Sequence, residues 1–159
     1  MEIRIICIGK LKERYWREAE AEYSKRLGRF CRLSVLELKE ERLPENASPA
    51  EEAAAVAAEG EAILRACRAD SYRIALDIRG KSSSSEQLAA DLEQLALSGR
   101  SSISFLIGGS LGLSPAVLAA ADRRLSFSAM TFPHQLMRII LLEQIYRAFK
   151  INHHETYHK

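Results

Sequence analysis

Segments with the hydrophobic pattern of strands alternate along this chain with segments that have the pattern of helices. Short apolar runs rich in β-branched residues, typical of buried strands, are "EIRIICIG" ending at Gly9, "RLSVLEL" (32–38), "YRIALDI" (72–78), "SISFLIG" (102–108) and "RLSFS" (124–128). Segments with apolar residues at helical spacing separate them. Strands that alternate with helices, joined by connections long enough for crossovers, predict one α/β domain over residues 1–159. Its sheet should be mostly parallel, with helices on both faces.

Sequence signals for helix starts support this order of elements. Two starts carry a capping box, Ser48 with Glu51 and Ser83 with Glu86. Ser114 is placed to cap a short fourth helix, and a proline opens the last one. The predicted helices cover about 15–30, 49–68, 84–97, 115–122 and 133–150.

The last helix is apolar around most of its circumference, which exceeds the single stripe of a surface helix. Such a helix must be buried on two sides. Its own sheet would cover one side and a second copy of the chain the other, so we expect a homodimer. Its polar residues would then lie near that interface: Arg138, Glu143, Gln144, Arg147 and Lys150. Glu143 and Arg147 are also spaced for an ordinary helical ion pair.

Composition adds limits on location and partners. The three cysteines, Cys7, Cys31 and Cys67, lack CxxC spacing and are odd in number, which indicates reduced core thiols in a cytoplasmic protein. No apolar run approaches the roughly 20 residues of a membrane span, and the first residues resemble a strand rather than a signal peptide. The net charge is +2, but both ends of the chain are basic and the middle is acidic. Basic ends permit contact with a polyanion.

Three of the eight glycines lie within "FLIGGSLGL" (105–113), directly behind a strand. A phosphate-binding P-loop is excluded because no lysine lies between Lys81 and Lys150. The dinucleotide motif is excluded because the pattern is GGxxG and no acid follows at the required distance. Two interpretations stay open: a loop whose peptide groups are closely approached by another backbone or a flat ligand, or a plain strand-to-helix turn. Ligands of parallel sheets lie beyond the carboxyl ends of strands, so "DIRGKSS" and "SAMTFPH" are candidates as well.

The chain ends in "INHHETYHK", a composition common in disordered termini. His153 and His154 raise the possibility of a metal site. Adjacent histidines seldom reach one ion together, and no acid–histidine helical motif supports them. We therefore expect no metal.

Long ungapped motifs together resemble one family. They are "FLIGGSLGL", "LSFSAMTFPHQLMRIILLEQIYRAF", "IGKLKERYWREAEAEYSKRLGRF" and the terminal "YHK". The chain is similar over essentially its whole length to the SPOUT-class methyltransferases of large-subunit ribosomal RNA. This resemblance implies S-adenosylmethionine-dependent methylation of N3 of a pseudouridine in 23S ribosomal RNA, on assembled ribosomes. It also implies a C-terminal trefoil knot and a homodimer formed across the knotted region.

The resemblance further implies roles for particular residues. The methyl donor would be held largely by backbone, without metal, by Leu76, Gly108, Phe127, Ser128, Ala129, Met130, Thr131 and Phe132. Arg147 and His134 would orient the RNA or the base, although His134 could instead make only a helix-start hydrogen bond. Tyr157, His158 and Lys159 would close over the RNA from the partner subunit, with His158 the first candidate to take or relay the N3 proton.

The tail departs from the family's pattern at two positions. His154 stands where glycine is usual, and Thr156 stands where proline or alanine is usual. Two other functions are compatible with the same residues. One is a ribosome-binding or assembly factor that keeps the fold without catalysis, and the other is methylation of a different RNA.

Overall fold

The computed structural model of the protein describes residues 1–158. Its strands are β1 (Glu2–Ile8), β2 (Arg32–Leu38), β3 (Tyr72–Ser82), β4 (Ser102–Ile107) and β5 (Arg123–Ser126). Its helices are α1 (Arg14–Leu27), α2 (Pro49–Ala66), α3 (Ser85–Leu97), α4 (Pro115–Ala120) and α5 (His134–Asn152). The predicted order of strands and helices is confirmed, and most ends differ by only a few residues.

The five strands form one sheet in the order β2-β1-β4-β3-β5, and every neighbouring pair is parallel. Side chains alternate across the inner strand β1, which lies between β2 and β4, because successive residues of a strand point to opposite faces. Ile3 and Ile5 enter the larger core, beneath α1, α3 and α5, whereas Ile6 and Ile8 enter the smaller core, beneath α2 and α4. The predicted parallel sheet with helices on both faces is confirmed.

Strand β3 is longer than predicted, because it resumes after an interruption. Leu125 of β5 pairs with Leu76 and again with Lys81, so the residues between these two partners loop out of the sheet. Gly80 closes this loop against the backbone of β5, where a Cβ would lie 2.7 Å from the carbonyl carbon of Arg124. The segment "DIRGKSS" is therefore partly strand, and only its first residues form a loop beside the carboxyl edge.

Helix α3 begins one residue later than predicted. Ser84, not Ser83, is the N-cap, and it forms a reciprocal capping box with Gln87. The serine run 82–85 is followed by Glu86 and Gln87, so two registers satisfy the same three-residue spacing. Glu86 is thereby left to contact the chain's tail. The other predicted box, between Ser48 and Glu51, is confirmed at the start of α2.

Helix α5 lies between α1 and α3, so its own chain covers more of it than predicted. Arg138 is completely buried. Its guanidinium contacts Glu37 at 2.6 Å and Glu20 at 3.2 Å and donates to the carbonyl of Gly9 at 3.0 Å. The side chain of Arg138 is thus enclosed by β1, β2 and α1 of its own chain and offers no exposed surface to a second one.

The cysteines occupy the positions expected of core thiols. All three are free; Cys7 and Cys31 are buried and Cys67 is half-buried. Burial raises the pKa of Cys7 to about 12 and that of Cys31 to about 11, so both stay protonated near neutral pH. In residues 1–158 no helix has the length and hydropathy required to cross a membrane.

Candidate active site

The strand order brings the three candidate loops together. Because β4, β3 and β5 are neighbours in a parallel sheet, the segments that follow them meet at the same carboxyl edge. Together with the first turns of α5 they enclose a cleft of about 730 Å³. Sequence periodicity does not determine strand order, so this convergence could not be deduced from the chain alone.

Seven of the eight residues predicted to hold the methyl donor line this cleft. They are Leu76, Gly108, Phe127, Ser128, Met130, Thr131 and Phe132. Ala129 lies in the same segment but is not among the lining residues. The wall also contains residues that were not predicted, chiefly their chain neighbours: Asp77, Ile78, Ile107, Gly109, Ser110, Leu111, Gly112, Leu113, Leu125, Pro133 and Met137. Adjacency to the glycine motif was the available signal for most of them.

The glycine loop folds tightly onto itself. A Cβ on Gly108 would lie 2.5 Å from the carbonyl carbon of Gly112 and 2.9 Å from the amide nitrogen of Leu113. Gly112 has a φ of +81°, a conformation that favours glycine. Ser114 then caps α4 by accepting from the amide of Val117. The loop is thus a tight strand-to-helix turn and, at the same time, a backbone wall of the cleft.

The charged side chains of the cleft wall limit which ligands it can hold. Among residues 1–158, no lysine or arginine lines it. Its one carboxylate, Asp77, forms an ion pair with Arg124 of β5. A polyphosphate would meet no lysine or arginine side chain on this wall, so the cleft suits a neutral or cationic ligand with apolar parts.

His134 is the candidate catalytic residue that the structure places at the cleft. It is the first residue of α5, after the N-cap Pro133, which makes no side-chain capping hydrogen bond. Its Nε2 faces Gly9 closely enough that a Cβ there would lie 3.5 Å away. Within residues 1–158 its ring has no hydrogen-bond partner, so the helix-start hydrogen bond considered for it is not observed.

The remaining candidates gather elsewhere, in a group we call the tail cluster: Glu86, Glu143, Arg147, Tyr157 and His158. Arg147 contacts Glu143 at 2.6 Å and Nδ1 of His158 at 3.3 Å. Tyr157 donates to Glu143 at 3.2 Å, and Nε2 of His158 contacts Glu86 at 2.7 Å. None of the five lines the cleft of the same chain. Lys159, the last predicted RNA-binding residue, lies outside the described residues.

Residues 153–158 pack onto α5, which differs from the disorder that their composition suggested. The ring of Tyr157 meets Tyr146 edge-on with centroids 5.0 Å apart. His154 has a φ of +52°, in the left-handed region. This conformation favours glycine, the residue that the family resemblance leads us to expect at this position. In the described residues no group of three or more His, Cys, Asp or Glu side chains is arranged to hold a metal ion.

A parallel sheet with a backbone-walled cleft at its carboxyl edge agrees with what sequence comparison finds. The family model described as "Predicted SPOUT methyltransferase" matches residues 1–158, and the chain belongs to this family. The resemblance read from the motifs is therefore confirmed.

Individual relatives match over their full length. The chain is 58% identical over 159 residues to a protein of Bifidobacterium adolescentis, 57% identical to one of Clostridium novyi and 56% identical to one of Carboxydothermus hydrogenoformans. Each alignment covers 100% of both sequences. All three relatives carry the name ribosomal RNA large subunit methyltransferase H.

Proposed function

We propose that this protein transfers a methyl group from S-adenosylmethionine to N3 of a pseudouridine in 23S ribosomal RNA of assembled ribosomes. The observation that carries this proposal is the cleft of about 730 Å³, walled by peptide groups and apolar side chains, with no lysine or arginine among the described residues that line it. Family membership gives the reaction class, and the names of the relatives point to large-subunit ribosomal RNA.

The lining fits the chemistry of this donor. S-adenosylmethionine has a flat adenine, a sulfonium cation and no phosphate, so it needs apolar surfaces and backbone hydrogen bonds rather than lysines. Leu76, Phe127 and Met130 would supply apolar surface, and the peptide groups around Gly108 would face polar atoms. When bound, the donor supplies an electrophilic methyl group. The protein's residues must then place the base in line with it and remove the N3 proton.

In the tail cluster we assign the handling of that proton to Arg147 and His158. A guanidinium beside the imide would favour its deprotonated form. Because a guanidinium offers only donors, the Arg147 contact at 3.3 Å requires Nδ1 of His158 to accept, which leaves the proton on Nε2, facing Glu86. His158 can therefore take a proton only after its Nδ1 leaves Arg147, so substrate must displace this contact.

We further propose that the active protein is a homodimer in which each tail cluster serves the partner's cleft. Within one chain the tail cluster does not line the cleft. Apolar side chains also remain exposed on the cleft wall, with Ile78 at 57%, Leu111 at 44% and Met130 at 73%. A second copy that covered this rim would bury apolar area and bring its own tail to the donor. From the family resemblance we infer a trefoil knot in the C-terminal region and a cytoplasmic location.

A transfer assay tests the proposed reaction. Ribosomes from a strain that lacks the modification are incubated with the protein and methyl-labelled donor, and the label is mapped by nuclease digestion and mass spectrometry. Label on N3 of one pseudouridine supports the proposal, and label on another nucleotide or another RNA would overturn the assigned substrate. Calorimetry that finds no donor binding by the folded protein would favour the ribosome-binding factor instead.

Arg147→Ala is expected to lose methyl transfer while keeping donor affinity, because Arg147 lies in the tail cluster and not in the cleft wall. Arg65→Ala is the matched control, since Arg65 forms an ion pair of the same spacing with Glu61 on α2, on the other face of the sheet. Calorimetry gives donor affinity, and label incorporation gives the rate. Unchanged methylation by Arg147→Ala would remove this residue from the site.

A further inference from the structure

We propose that Glu143 is the positioning residue of the tail cluster, holding Arg147 and Tyr157 in the arrangement that methyl transfer requires. The spacing of Glu143 and Arg147 suggests no more than a helical ion pair, but the structure gives this carboxylate more partners. The inference rests on the proposed function, because it assigns Glu143 a part in that reaction.

Glu143 accepts four hydrogen bonds from three side chains. Its Oε1 accepts hydrogen bonds from Nε and Nη2 of Arg147, at 3.1 and 2.6 Å, and from the hydroxyl of Tyr157, at 3.2 Å. Its Oε2 receives the amide of Gln144 at 2.8 Å. Because one carboxylate oxygen engages one edge of the guanidinium, Nη1 is left to point at His158. Glu143 therefore sets the direction in which Arg147 presents its remaining donor.

Together with the peptide link between Ser85 and Glu86, these bonds close a ring that joins α5, α3 and the tail. On one side Gln144 accepts from the hydroxyl of Ser85 at 2.7 Å. On the other side Arg147 reaches His158, which contacts Glu86 at 2.7 Å. Ser85 and Glu86 are adjacent in the first turn of α3, so both ends of the network meet there. A ring anchored at adjacent residues restricts the tail more than a single ion pair would.

The pair of Glu143 and Arg147 is more buried than a surface ion pair of the same spacing. The Glu143 and Arg147 side chains are 19% and 25% exposed, whereas those of Glu61 and Arg65 are 73% and 72% exposed. Surface pairs contribute little because water screens them, and shielding strengthens hydrogen bonds between charged groups. Hydrogen bonding to Glu143 raises the pKa of Arg147. Burial, together with the nearby carboxylate, raises the pKa of Tyr157 to about 12, so its phenol remains a donor.

If Glu143 acts through Arg147 and Tyr157, its loss should change the kinetics in a specific way. Without the carboxylate, Arg147 loses the two bonds that orient it and Tyr157 loses its acceptor, while the cleft remains unchanged. The transfer rate should therefore fall without a change in donor affinity. Glu143→Gln keeps an acceptor of the same size but removes the charge, so its transfer rate should lie between those of wild type and Glu143→Ala.

The test compares Glu143→Ala and Glu143→Gln with the control Glu61→Gln and with the double variant Glu143→Ala/Arg147→Ala. We expect Glu143→Ala to lower kcat on ribosomes at least roughly tenfold, with a donor affinity within about twofold of wild type. The double variant should be no slower than Arg147→Ala alone, because the two residues act as a unit. Glu61→Gln should match wild type.

Hydrogen exchange of the full-length protein supplies a readout that does not depend on activity. Amides of residues 153–158 should exchange faster in Glu143→Ala than in wild type or Glu61→Gln. Unaltered exchange of the tail, or independent and multiplicative rate losses for Glu143→Ala and Arg147→Ala, would overturn the positioning role. If wild type binds the donor but modifies no RNA, the proposed function fails, and the exchange comparison still decides whether Glu143 positions the tail.

Discussion

At the scale of single residues, Gly108 shows how the chain builds a wall of the cleft from its own backbone. The position has no need for a left-handed conformation. It requires glycine because the returning loop, at Gly112 and Leu113, occupies the space of a side chain. The sequence motif allowed another backbone or a flat ligand to approach closely here. That the approaching backbone belongs to the same loop depends on the loop's three-dimensional path.

Gly108→Ala is therefore expected to displace the loop and to weaken donor binding at least roughly tenfold, which corresponds to about 1.4 kcal/mol. Gly28→Ala is the matched control, since a Cβ there would meet its first neighbour, the carbonyl of Lys25, at 3.4 Å, an ordinary contact. Calorimetry with S-adenosylmethionine measures the affinity, and circular dichroism checks that both variants fold. Wild-type affinity in Gly108→Ala would show that the loop does not form the donor site.

At the scale of elements, a buried charge attaches α5 to the rest of the domain. Arg138 joins it to β2 through Glu37, to α1 through Glu20 and to the end of β1 through the carbonyl of Gly9. Glu37 also accepts from the amide of Leu11 in the β1–α1 connection. Since His134 lies one turn before Arg138, the same contacts fix the end of α5 that borders the cleft.

Arg138→Met is expected to lower the free energy of unfolding by about 3 kcal/mol, because removing one partner of a buried ion pair leaves the others uncompensated. Arg65→Met, in an exposed pair, should cost less than about 1 kcal/mol. Urea denaturation monitored by circular dichroism measures both. A cost for Arg138→Met as small as that for Arg65→Met would show that the buried pair does not hold α5.

The same contact predicts a dependence on pH. Partial burial acts to raise the pKa of Glu37, but hydrogen bonds from Arg138 and Leu11 outweigh it, so the pKa in the folded protein is below its usual value of 4.5. A carboxylate whose pKa is lowered by folding stabilises the protein at pH values above its unfolded-state pKa. This contribution is lost as the pH falls through its folded-state pKa. As the pH falls below 4.5, Arg138→Met should therefore lose less stability than wild type.

At the scale of the whole molecule, the distribution of apolar surface agrees with the proposed dimer. Most of α5 is covered by its own sheet, α1 and α3, which is more cover than its sequence pattern suggested. Leu136 and Ile140, one turn apart near the start of the helix, are only half-buried and lie outside both cores. Together with the exposed side chains of the cleft wall, Leu136 and Ile140 form the surface on which we expect a second copy to pack.

Ile140→Arg is expected to convert the dimer to a monomer and to abolish methyl transfer, because a charge would enter a packed apolar contact. Leu97→Arg is the control, since Leu97 is 77% exposed at the end of α3. Sedimentation velocity gives the oligomeric state, and label incorporation gives activity. A dimer that persists in Ile140→Arg would place the interface elsewhere on the molecule.

The sequence by itself determined the succession of strands and helices along the chain, the capped starts of α2 and α4, the reduced core thiols and the segments that form the cleft. These features depend on local periodicity and on the chemistry of neighbouring residues. Only the tertiary structure decided that the three loops are adjacent, that Arg138 is buried within one chain, and that the tail docks on Glu143 and Glu86. These features depend on contacts between distant positions, such as Arg138 with Glu20, 118 residues apart, and His158 with Glu86, 72 residues apart. Local patterns carry no information about such pairings, because they are selected by the packing of the whole chain.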